Sequence, residues 1–312
     1  EHGHISRQEP RRGCNKYWER NAVASHTWNR GPLLHWVLTG DRRSLDTGVM
    51  NGEAFRRSFY EKHKLAEAEI LEIRQFRVPV WAIENWLALY EYTGESKYLD
   101  WAEEVFNKTL LAMEQKNGAC GHILKDGRQC AQFTGYMVEP VCRLHHYTDR
   151  EDVIAFLKRV LDWQREEGSL RGVTRDGRYY PVIWKHDWDC NPPLEKRVVL
   201  EADSAFSYLL ADGFAYLAHV LEEPEYRNFA ERIFKDVFFY QGTGHGPKIE
   251  TRMVLGYRYY DRCCGTSAKL HAWTGRYCQI MLSMEELAGA ESGEPVKPVP
   301  DQASQKEIVG SL

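Results

Sequence analysis

The first group of residues suited to chemistry lies near the beginning of the chain. It combines imidazole, guanidinium, amide and indole groups, contributed by His4, Arg7, Asn21, His26 and Trp28. Guanidinium and amide groups bind and polarise a carboxylate, and an imidazole titrates close to neutral pH, where it acts as a base. We therefore expect an anionic substrate here, with His26 as the base and with Arg7 and Asn21 on the carboxylate.

Two further groups contain carboxylates and thiols. Glu201 and Asp203 are expected at the start of an inner helix, where Asp203 is a catalytic acid or base, or only a helix cap. Cys263 and Cys264 lie side by side before the last apolar stretch, where they are inert thiols, a nucleophile or zinc ligands. Because adjacent cysteines are an uncommon spacing for structural zinc, we expect no cofactor, while zinc and calcium stay open as alternatives.

The composition argues against several classes of partner. The 312 residues include 41 Lys and Arg against 45 Asp and Glu, and this net charge of −4 provides no basic surface for nucleic acid or an anionic membrane. The longest apolar runs are too short to span a bilayer. With 10 Trp, 17 Tyr and 12 Phe, the chain is typical of proteins that bind small molecules or sugars. No signal peptide precedes the first residues, so a cytoplasmic chain is the default expectation.

Four short polar segments resemble one another and divide the chain at regular intervals. They are LTGDRRSLD (38–46), YTGESKYLD (92–100), YTDREDVIA (147–155) and LEEPEYRNFA (221–230). Thr39, Thr93 and Thr148 are separated by 54 and 55 residues. Since apolar residues recur every three or four positions beside these segments, each segment is predicted to be the short turn of a helical hairpin.

The connections between the predicted hairpins are longer and uneven. They span 61–77, 117–132, 167–202 and 240–266, with strand-like stretches around Asp176–Gly177. This alternation of short and long connections favours an all-α fold, an (α/α) toroid of the six-hairpin type, complete or incomplete, with short β-hairpin insertions in the long loops. We expect the toroid to form one catalytic domain over 1–289, followed by a disordered tail or linker over 290–312.

On such a scaffold, functional residues are expected where the long connections meet the N-terminal ends of the inner helices. Helix dipoles favour an anionic ligand at those ends. Besides the first group, this rule selects Arg74, Trp81, His122, Gln132, Tyr136 and Tyr257. Tyr136 or His122 is expected to supply a proton. The expected substrate-binding residues are His4, Trp28, Arg74, Trp81, Gln132 and Tyr257.

Two stretches carry a resemblance to known proteins. SHTWNRGPLLHWVLTGDRRSLD (25–46) and VWAIENWLALYEYTGESKYLDWA (80–102) resemble the helical toroid domains of carbohydrate-active enzymes. They look most like the group of uronic-acid polysaccharide lyases that includes the exo-rhamnogalacturonan lyases, over roughly residues 20–230. The resemblance implies an (α/α) toroid that acts on an acidic glycan. Such lyases usually also carry β-sandwich domains, which this chain lacks.

A narrower resemblance concerns the carboxylates and thiols. Glu201 and Asp203, followed by Cys263 and Cys264, look similar to the zinc–cysteine arrangement of β-L-arabinofuranosidases. That family has a cysteine two positions after its acidic residue, where this chain has Asp203. It also has a Pro-rich continuation after its cysteine pair, which is missing here.

Three functions follow as hypotheses. The first is β-elimination on a uronic acid in an oligosaccharide or polysaccharide, performed by the groups named above. The second is glycoside hydrolysis by two carboxylates, one being Asp203 or Glu201 and the other Glu9 or Asp187. The third is a helical module that binds a partner without catalysis. The sequence leaves the oligomeric state open.

Overall fold

A computed structural model describes residues 27–57, 76–121, 132–173, 179–189, 198–203, 208–237, 252–254 and 257–259. Its helices are α1 (Arg30–Thr39), α2 (Arg42–Phe55), α3 (Arg77–Thr93), α4 (Ser96–Val105), α5 (Ala112–Asn117), α6 (Gln132–Thr148), α7 (Glu151–Glu166), α8 (Tyr208–Leu221) and α9 (Pro224–Val237). A π-helical turn, Phe106–Leu111, joins α4 to α5, and a 3₁₀ turn, Gly118–Cys120, follows α5. The strands are β1 (Ser169–Val173), β2 (Tyr179–Asp189), β3 (Val198–Asp203), β4 (Arg252–Val254) and β5 (Tyr257–Tyr259).

The helices form four hairpins, each made of an inner and an outer helix. The pairs α1/α2, α3/α4, α6/α7 and α8/α9 pack together, and the inner helices α1, α3, α6 and α8 contact one another in that order. In α3 every residue from Pro79 to Leu89 is buried, as expected for a helix with neighbours on all sides. The outer helix α7 instead buries one stripe, which includes Val153, Phe156, Val160 and Leu161.

The four predicted turns are confirmed, and they share one geometry. In each of them the residue after the inner helix has a positive φ: 73° at Gly40, 71° at Gly94, 50° at Asp149 and 56° at Glu222. This left-handed position ends a helix because it turns the chain away from the helical path. The spacing of similar segments therefore reports a true structural repeat.

The repeated threonines ahead of three of these turns also behave alike. The hydroxyls of Thr39, Thr93 and Thr148 each donate to the carbonyl four residues earlier, over 2.6 to 2.7 Å. Such a bond satisfies the threonine hydroxyl within the last turn of the helix. The sequence repeat at these positions thus has a local physical reason.

The strands form one sheet in the order β1-β2-β3-β5-β4. The predicted hairpin is confirmed: β1 and β2 are antiparallel, with Val173 opposite Tyr179 across the loop that contains Asp176 and Gly177. β3 joins β2 in antiparallel register and meets β5 in parallel at Ala202 and Tyr259. The strands of two long connections therefore combine into a sheet that is larger than the short insertions predicted.

One expectation about the inner helices is wrong. Glu201 and Asp203 do not begin an inner helix, because they lie in β3 and α8 starts only at Tyr208. The preceding Val198 and Val199 are β-branched, and their strand is completed by pairing with β2. Asp203 is therefore not the N-cap of α8.

Other expectations fall outside the described residues. These are an apolar helix, which the sequence predicts over about 267–288, and the tail predicted over 290–312. Within the described part of the chain, none of the helices has the length and apolar character needed to cross a membrane.

Candidate functional site

The inner helices bring three predicted residues into contact near their N-terminal ends. The ring centroids of Trp28 and Trp81 lie 5.6 Å apart, and those of Trp81 and Tyr136 also lie 5.6 Å apart, both in edge-to-face geometry. Farther along the same two helices, Tyr90 of α3 contacts Tyr147 of α6, so α3 and α6 run parallel. Trp28, Trp81 and Tyr136 are called the aromatic cluster below.

A cation lies beside this cluster. The Arg77 guanidinium carbon is 5.3 Å from the centroid of the Tyr136 ring. Trp81 is 6% exposed and Tyr136 is 8% exposed, whereas Trp28 is partly exposed. Burial raises the pKa of the Tyr136 phenol, and the Arg77 guanidinium opposes that rise. The cluster thus combines one partly exposed indole, two buried rings, a protonated phenol and a guanidinium within one small region.

An asparagine holds the segment before α1 against α3. The side-chain amide nitrogen of Asn85 donates to the carbonyl of Thr27 over 2.8 Å and to that of Trp81 over 2.7 Å. Asn29, which follows Trp28, donates to the carbonyl of Gly48 on α2 over 3.0 Å. These backbone contacts position Trp28 at Trp81, because they fix the chain on both sides of it.

Charged residues lie one helical turn beyond the cluster on the same helices. Glu84 follows Trp81 by three residues on α3, and Glu139 follows Tyr136 by three residues on α6. Arg30, the first residue of α1, bridges them: its NH1 lies 2.9 Å from Glu139 Oε1, and its Nε lies 3.6 Å from Glu84 Oε1. We call Arg30, Glu84 and Glu139 the charged layer.

A second arginine extends the charged layer along α3 and α6. Arg143 donates to Glu84 over 2.7 Å and pairs with Glu91 on the last turns of α3. Arg143 and Glu84 are almost completely buried. Burial alone lowers the pKa of the Arg143 guanidinium, but the Glu84 and Glu91 carboxylates more than offset this, so its pKa is raised.

The sheet places two acidic residues of the hydrolase hypothesis side by side. Asp187 of β2 is the register partner of Glu201 of β3, whereas Asp203 stands opposite Trp184. The register shifts on both sides of Asp187. Such irregularities are common beside functional sites, where they change the local direction of a strand.

Comparison with known proteins identifies the architecture. No protein-family model matches the chain, and no curated protein matches it. Among solved structures, a cellobiose 2-epimerase from Bacillus thermoamylovorans B4167 is similar over 86% of this chain and 74% of its own, with a TM-score of 0.50 and 8% identity. The chain is an (α/α) toroid.

Two other solved structures share less of the fold with this toroid. An inactive variant of the α-1,6-mannanase GH76A of Salegentibacter sp. HEL1_6, in complex with α-1,6-mannotriose, has 14% identity and a TM-score of 0.48, over 77% of this chain and 65% of its own. A family 76 glycoside hydrolase (mannosidase) from Bacteroides thetaiotaomicron VPI-5482 has 14% identity and a TM-score of 0.43, over 66% and 54%. This toroid therefore spans between half and two thirds of the length of these hydrolases. None of these three neighbours is a polysaccharide lyase, and the likeness extends to the fold alone.

The other predicted site residues are placed as follows in the toroid. Gln132 is the first residue of α6, and Tyr257 is the first residue of β5. The predicted residues that lie outside the described part are His4, Arg7, Glu9, Asn21, His26, Arg74, His122, Cys263 and Cys264. Within the described part, no three His, Cys, Asp or Glu side chains are grouped so that they hold a metal ion.

The residues of the charged layer are not among those predicted from the sequence. A signal was present, because Glu84 interrupts a stretch of α3 that is apolar on all faces, and a carboxylate there needs a partner. The sequence does not single out Arg30 or Glu139, because the helix of each also contains other polar residues. Only the packing of α1, α3 and α6 shows that these three residues meet.

Proposed function

We propose that this toroid is the helical domain of an enzyme that acts on glycans, and that a sugar ring binds at the aromatic cluster. The observation that carries the proposal is the contact of Trp28, Trp81 and Tyr136 beside Arg77, at the N-terminal ends of the inner helices. Aromatic faces bind the apolar face of a sugar, while polar groups at their edges bind its hydroxyls. The fold supports this proposal, because its neighbours include enzymes with carbohydrate substrates in their names.

Glycoside hydrolysis is the reaction that the backbone register of β2 and β3 supports best. It requires two carboxyl groups about 5 to 10 Å apart across the scissile bond. The register of β2 and β3 sets Asp187 beside Glu201, which are two of the carboxylates of the hydrolase hypothesis. In this proposal one of them protonates the leaving oxygen, and the other acts as nucleophile or activates water.

β-Elimination on a uronic acid is a second candidate, favoured by Tyr136 and Arg77. A buried phenol whose pKa is raised keeps its proton at neutral pH and donates it to a leaving oxygen. A guanidinium 5.3 Å from the ring neutralises a substrate carboxylate. The remaining groups of this mechanism, His26, Arg7, Asn21 and His122, lie outside the described residues.

The two reactions give different products and are tested together. The chain is incubated with neutral oligosaccharides, including cellobiose and α-1,6-mannotriose, and with oligosaccharides of uronic acids. Hydrolysis produces new reducing ends without ultraviolet absorbance, whereas β-elimination produces an absorbing unsaturated sugar. If hydrolysis is found, Asp187→Asn and Glu201→Gln are each expected to lower kcat at least 100-fold. Full activity of both variants would show that Asp187 and Glu201 are not the catalytic carboxylates.

Binding at the aromatic cluster is tested with two matched tryptophan substitutions. Trp28→Ala is expected to weaken glycan binding about tenfold or more, because it removes one aromatic face of the site. Trp101→Ala is the control: Trp101 is also partly exposed and lies edge-to-face on a buried tryptophan, Trp86, at 5.5 Å, but on the outer helix α4. Calorimetric titration measures both. Equal losses of affinity in the two variants would contradict the proposed site.

A further inference from the structure

We propose that Arg258 is a positioning residue in the proposed hydrolysis, where it holds Glu201 in the ionised form. Glu201 is then the carboxylate that attacks the sugar or activates water, and Asp187 is the acid that protonates the leaving oxygen. The inference rests on the proposed function and deepens it, because it assigns the two roles that the carboxylate pair leaves open. It draws on the register, the neighbours and the order of the strands.

The register of β3 and β5 brings Arg258 beside Glu201. Ala202 of β3 is the register partner of Tyr259 of β5, and the two strands are parallel. One position earlier on each strand are Glu201 and Arg258. Because parallel strands advance together and successive residues alternate between the two faces of a sheet, Glu201 and Arg258 are neighbours on one face.

The other neighbours of these two residues in the sheet differ in charge. The register partner of Arg258 on β4 is Met253, which is uncharged, whereas that of Glu201 on β2 is Asp187. Glu201 therefore stands between an arginine on one neighbouring strand and an aspartate on the other. Opposite charges on neighbouring strands stabilise a sheet, and like charges directly opposite destabilise it. By register, the residue that complements the charge of Arg258 is Glu201.

The order of the strands decides which carboxyl group keeps its proton. Two carboxyl groups close together do not both ionise readily, so one of the pair holds a proton near neutral pH. In the order β2-β3-β5, Arg258 is one strand from Glu201 and two strands from Asp187, or about 5 Å and about 10 Å between backbones. Since the attraction between charges weakens with distance, Arg258 favours the Glu201 anion over the Asp187 anion. The proton of the pair is therefore assigned to Asp187.

This assignment gives each group one task in the cleavage of the glycosidic bond. The electron pair of that bond goes to the leaving oxygen, which takes the proton of Asp187. The anomeric carbon receives an electron pair either from the Glu201 carboxylate or from a water molecule whose proton Glu201 takes. In the first case, water then displaces Glu201 from the sugar and gives a proton to Asp187; in the second, proton exchange with solvent restores both groups. Arg258 acts only through the charge of Glu201.

The roles of the two carboxylates are separated by the leaving group of the substrate. The probes are the oligosaccharide that the wild-type chain hydrolyses, cellobiose or α-1,6-mannotriose, and the 2,4-dinitrophenyl glycoside of the same sugar. Dinitrophenolate leaves without a proton, so Asp187→Asn is expected to lower kcat about 100-fold or more on the oligosaccharide but less than about tenfold on the aryl glycoside. Glu201→Gln is expected to lower kcat about 100-fold or more on both substrates. The opposite pattern reverses the two roles and overturns the inference.

Arg258 is tested in the full chain by two substitutions. Arg258→Met is expected to lower kcat about tenfold or more on both substrates and to leave KM nearly unchanged, because the Glu201 anion loses its neighbouring charge. Arg258→Lys is expected to restore part of the loss, since an ammonium group also stabilises a carboxylate. Arg252→Met is the matched control, with the kcat of the wild type expected. Arg252 is the register partner of Tyr259 and therefore lies on the opposite face of the sheet from Arg258.

The outcomes separate this inference from the proposed function. If a folded Arg258→Met has the kcat of the wild type, or if Arg258→Lys or Arg252→Met is as slow as Arg258→Met, the inference is overturned while the proposed function stands. Circular dichroism and thermal unfolding identify any variant that fails to fold. If Arg258→Met is such a variant, the leaving-group experiment still decides the roles of Asp187 and Glu201. If the wild-type chain hydrolyses none of these substrates, the proposed hydrolysis fails and the inference fails with it.

Discussion

The environment of a side chain, rather than its type, decides its role in this toroid. Tyr98 and Tyr136 are both buried, but Tyr136 lies between Trp81 and Arg77 at the end of the inner helices, and Tyr98 lies in an outer helix.

Asp212 is a second example, because it is an acid buried between apolar helices. Burial raises its pKa to about 8. Burial raises the pKa of the Cys142 thiol on α6, and the charge of Asp212 adds to that rise.

The raised pKa of Asp212 predicts a pH-dependent stability. An unfolded aspartate titrates near pKa 3.9, so between about pH 4 and pH 8 the folded chain holds a proton that the unfolded chain has lost. Stability from this group is therefore present at low pH and decreases as the pH rises through this window. Asp212→Asn is expected to remove this decrease and to stabilise the fold on the order of a few kcal/mol at pH 8.

Thermal unfolding from pH 5 to pH 8 checks this expectation for Asp212. The difference in Tm between Asp212→Asn and the wild-type chain should grow with pH. Parallel Tm profiles for the two proteins would show that Asp212 is ionised in the folded chain or does not affect its stability.

At the scale of the helices, close packing within and between hairpins depends on small residues. Gly52 of α2 lies against α3, where its carbonyl accepts a hydrogen bond of 3.0 Å from Trp86 Nε1. A Cβ at position 52 would lie 2.3 Å from Leu89 Cδ1. The first two hairpins therefore approach as closely as they do because residue 52 has no side chain.

Substitution of Gly52 tests this contact. Gly52→Ala is expected to destabilise the chain by about 1–3 kcal/mol, because α2 must move away from α3. Gly31→Ala is the control, since a Cβ there would have no atom within 4 Å, and alanine favours the helix. Chemical denaturation measures both variants. A Gly52→Ala variant as stable as Gly31→Ala would mean that the α2 and α3 contact adjusts without cost.

At the scale of the whole molecule, a buried ion pair and its two more exposed partners join the hairpins of the ring. Arg143 of α6 pairs with Glu84 and Glu91 of α3, and Glu84 in turn contacts Arg30 of α1. These contacts link the first three hairpins through their inner helices. Because breaking a buried pair leaves a charge without compensation, the network favours this arrangement of the ring over alternatives.

Removal of one member of the network should therefore have a large effect. Arg143→Met is expected to destabilise the chain by about 3–5 kcal/mol, since it leaves the buried Glu84 carboxylate without its shortest ion pair. Arg42→Met is the control, because Arg42 and Asp46 form an exposed pair on α2 and should contribute less than about 1 kcal/mol. Denaturant unfolding provides both free energies. If both variants lose a similarly small free energy of unfolding, water solvates the Glu84 carboxylate in place of Arg143.

Local sequence patterns were enough to predict the hairpins of this toroid. The turns after Thr39, Thr93 and Thr148 were predictable because helix periodicity, a threonine bond four residues back and a left-handed residue are all local features. The β1 and β2 hairpin was predictable for the same reason, since the sequence Asp176–Gly177 between the two strands is typical of a hairpin turn. Trp28, Trp81 and Tyr136 were also selected from the sequence, because they follow or precede long connections.

The positions of the remaining groups depend on packing between segments that are distant along the chain. Glu201 and Asp203 belong to a strand because β2 supplies its hydrogen bonds. The residues around Glu201 and Asp203 do not predict that β2 is the neighbouring strand. The meeting of Arg30, Glu84 and Glu139 likewise depends on the packing of three helices, the first and last of which contribute residues 109 positions apart along the chain. Periodicity fixes which face of a helix is apolar, but the helix that covers each face is chosen by the fit of side chains across the whole ring.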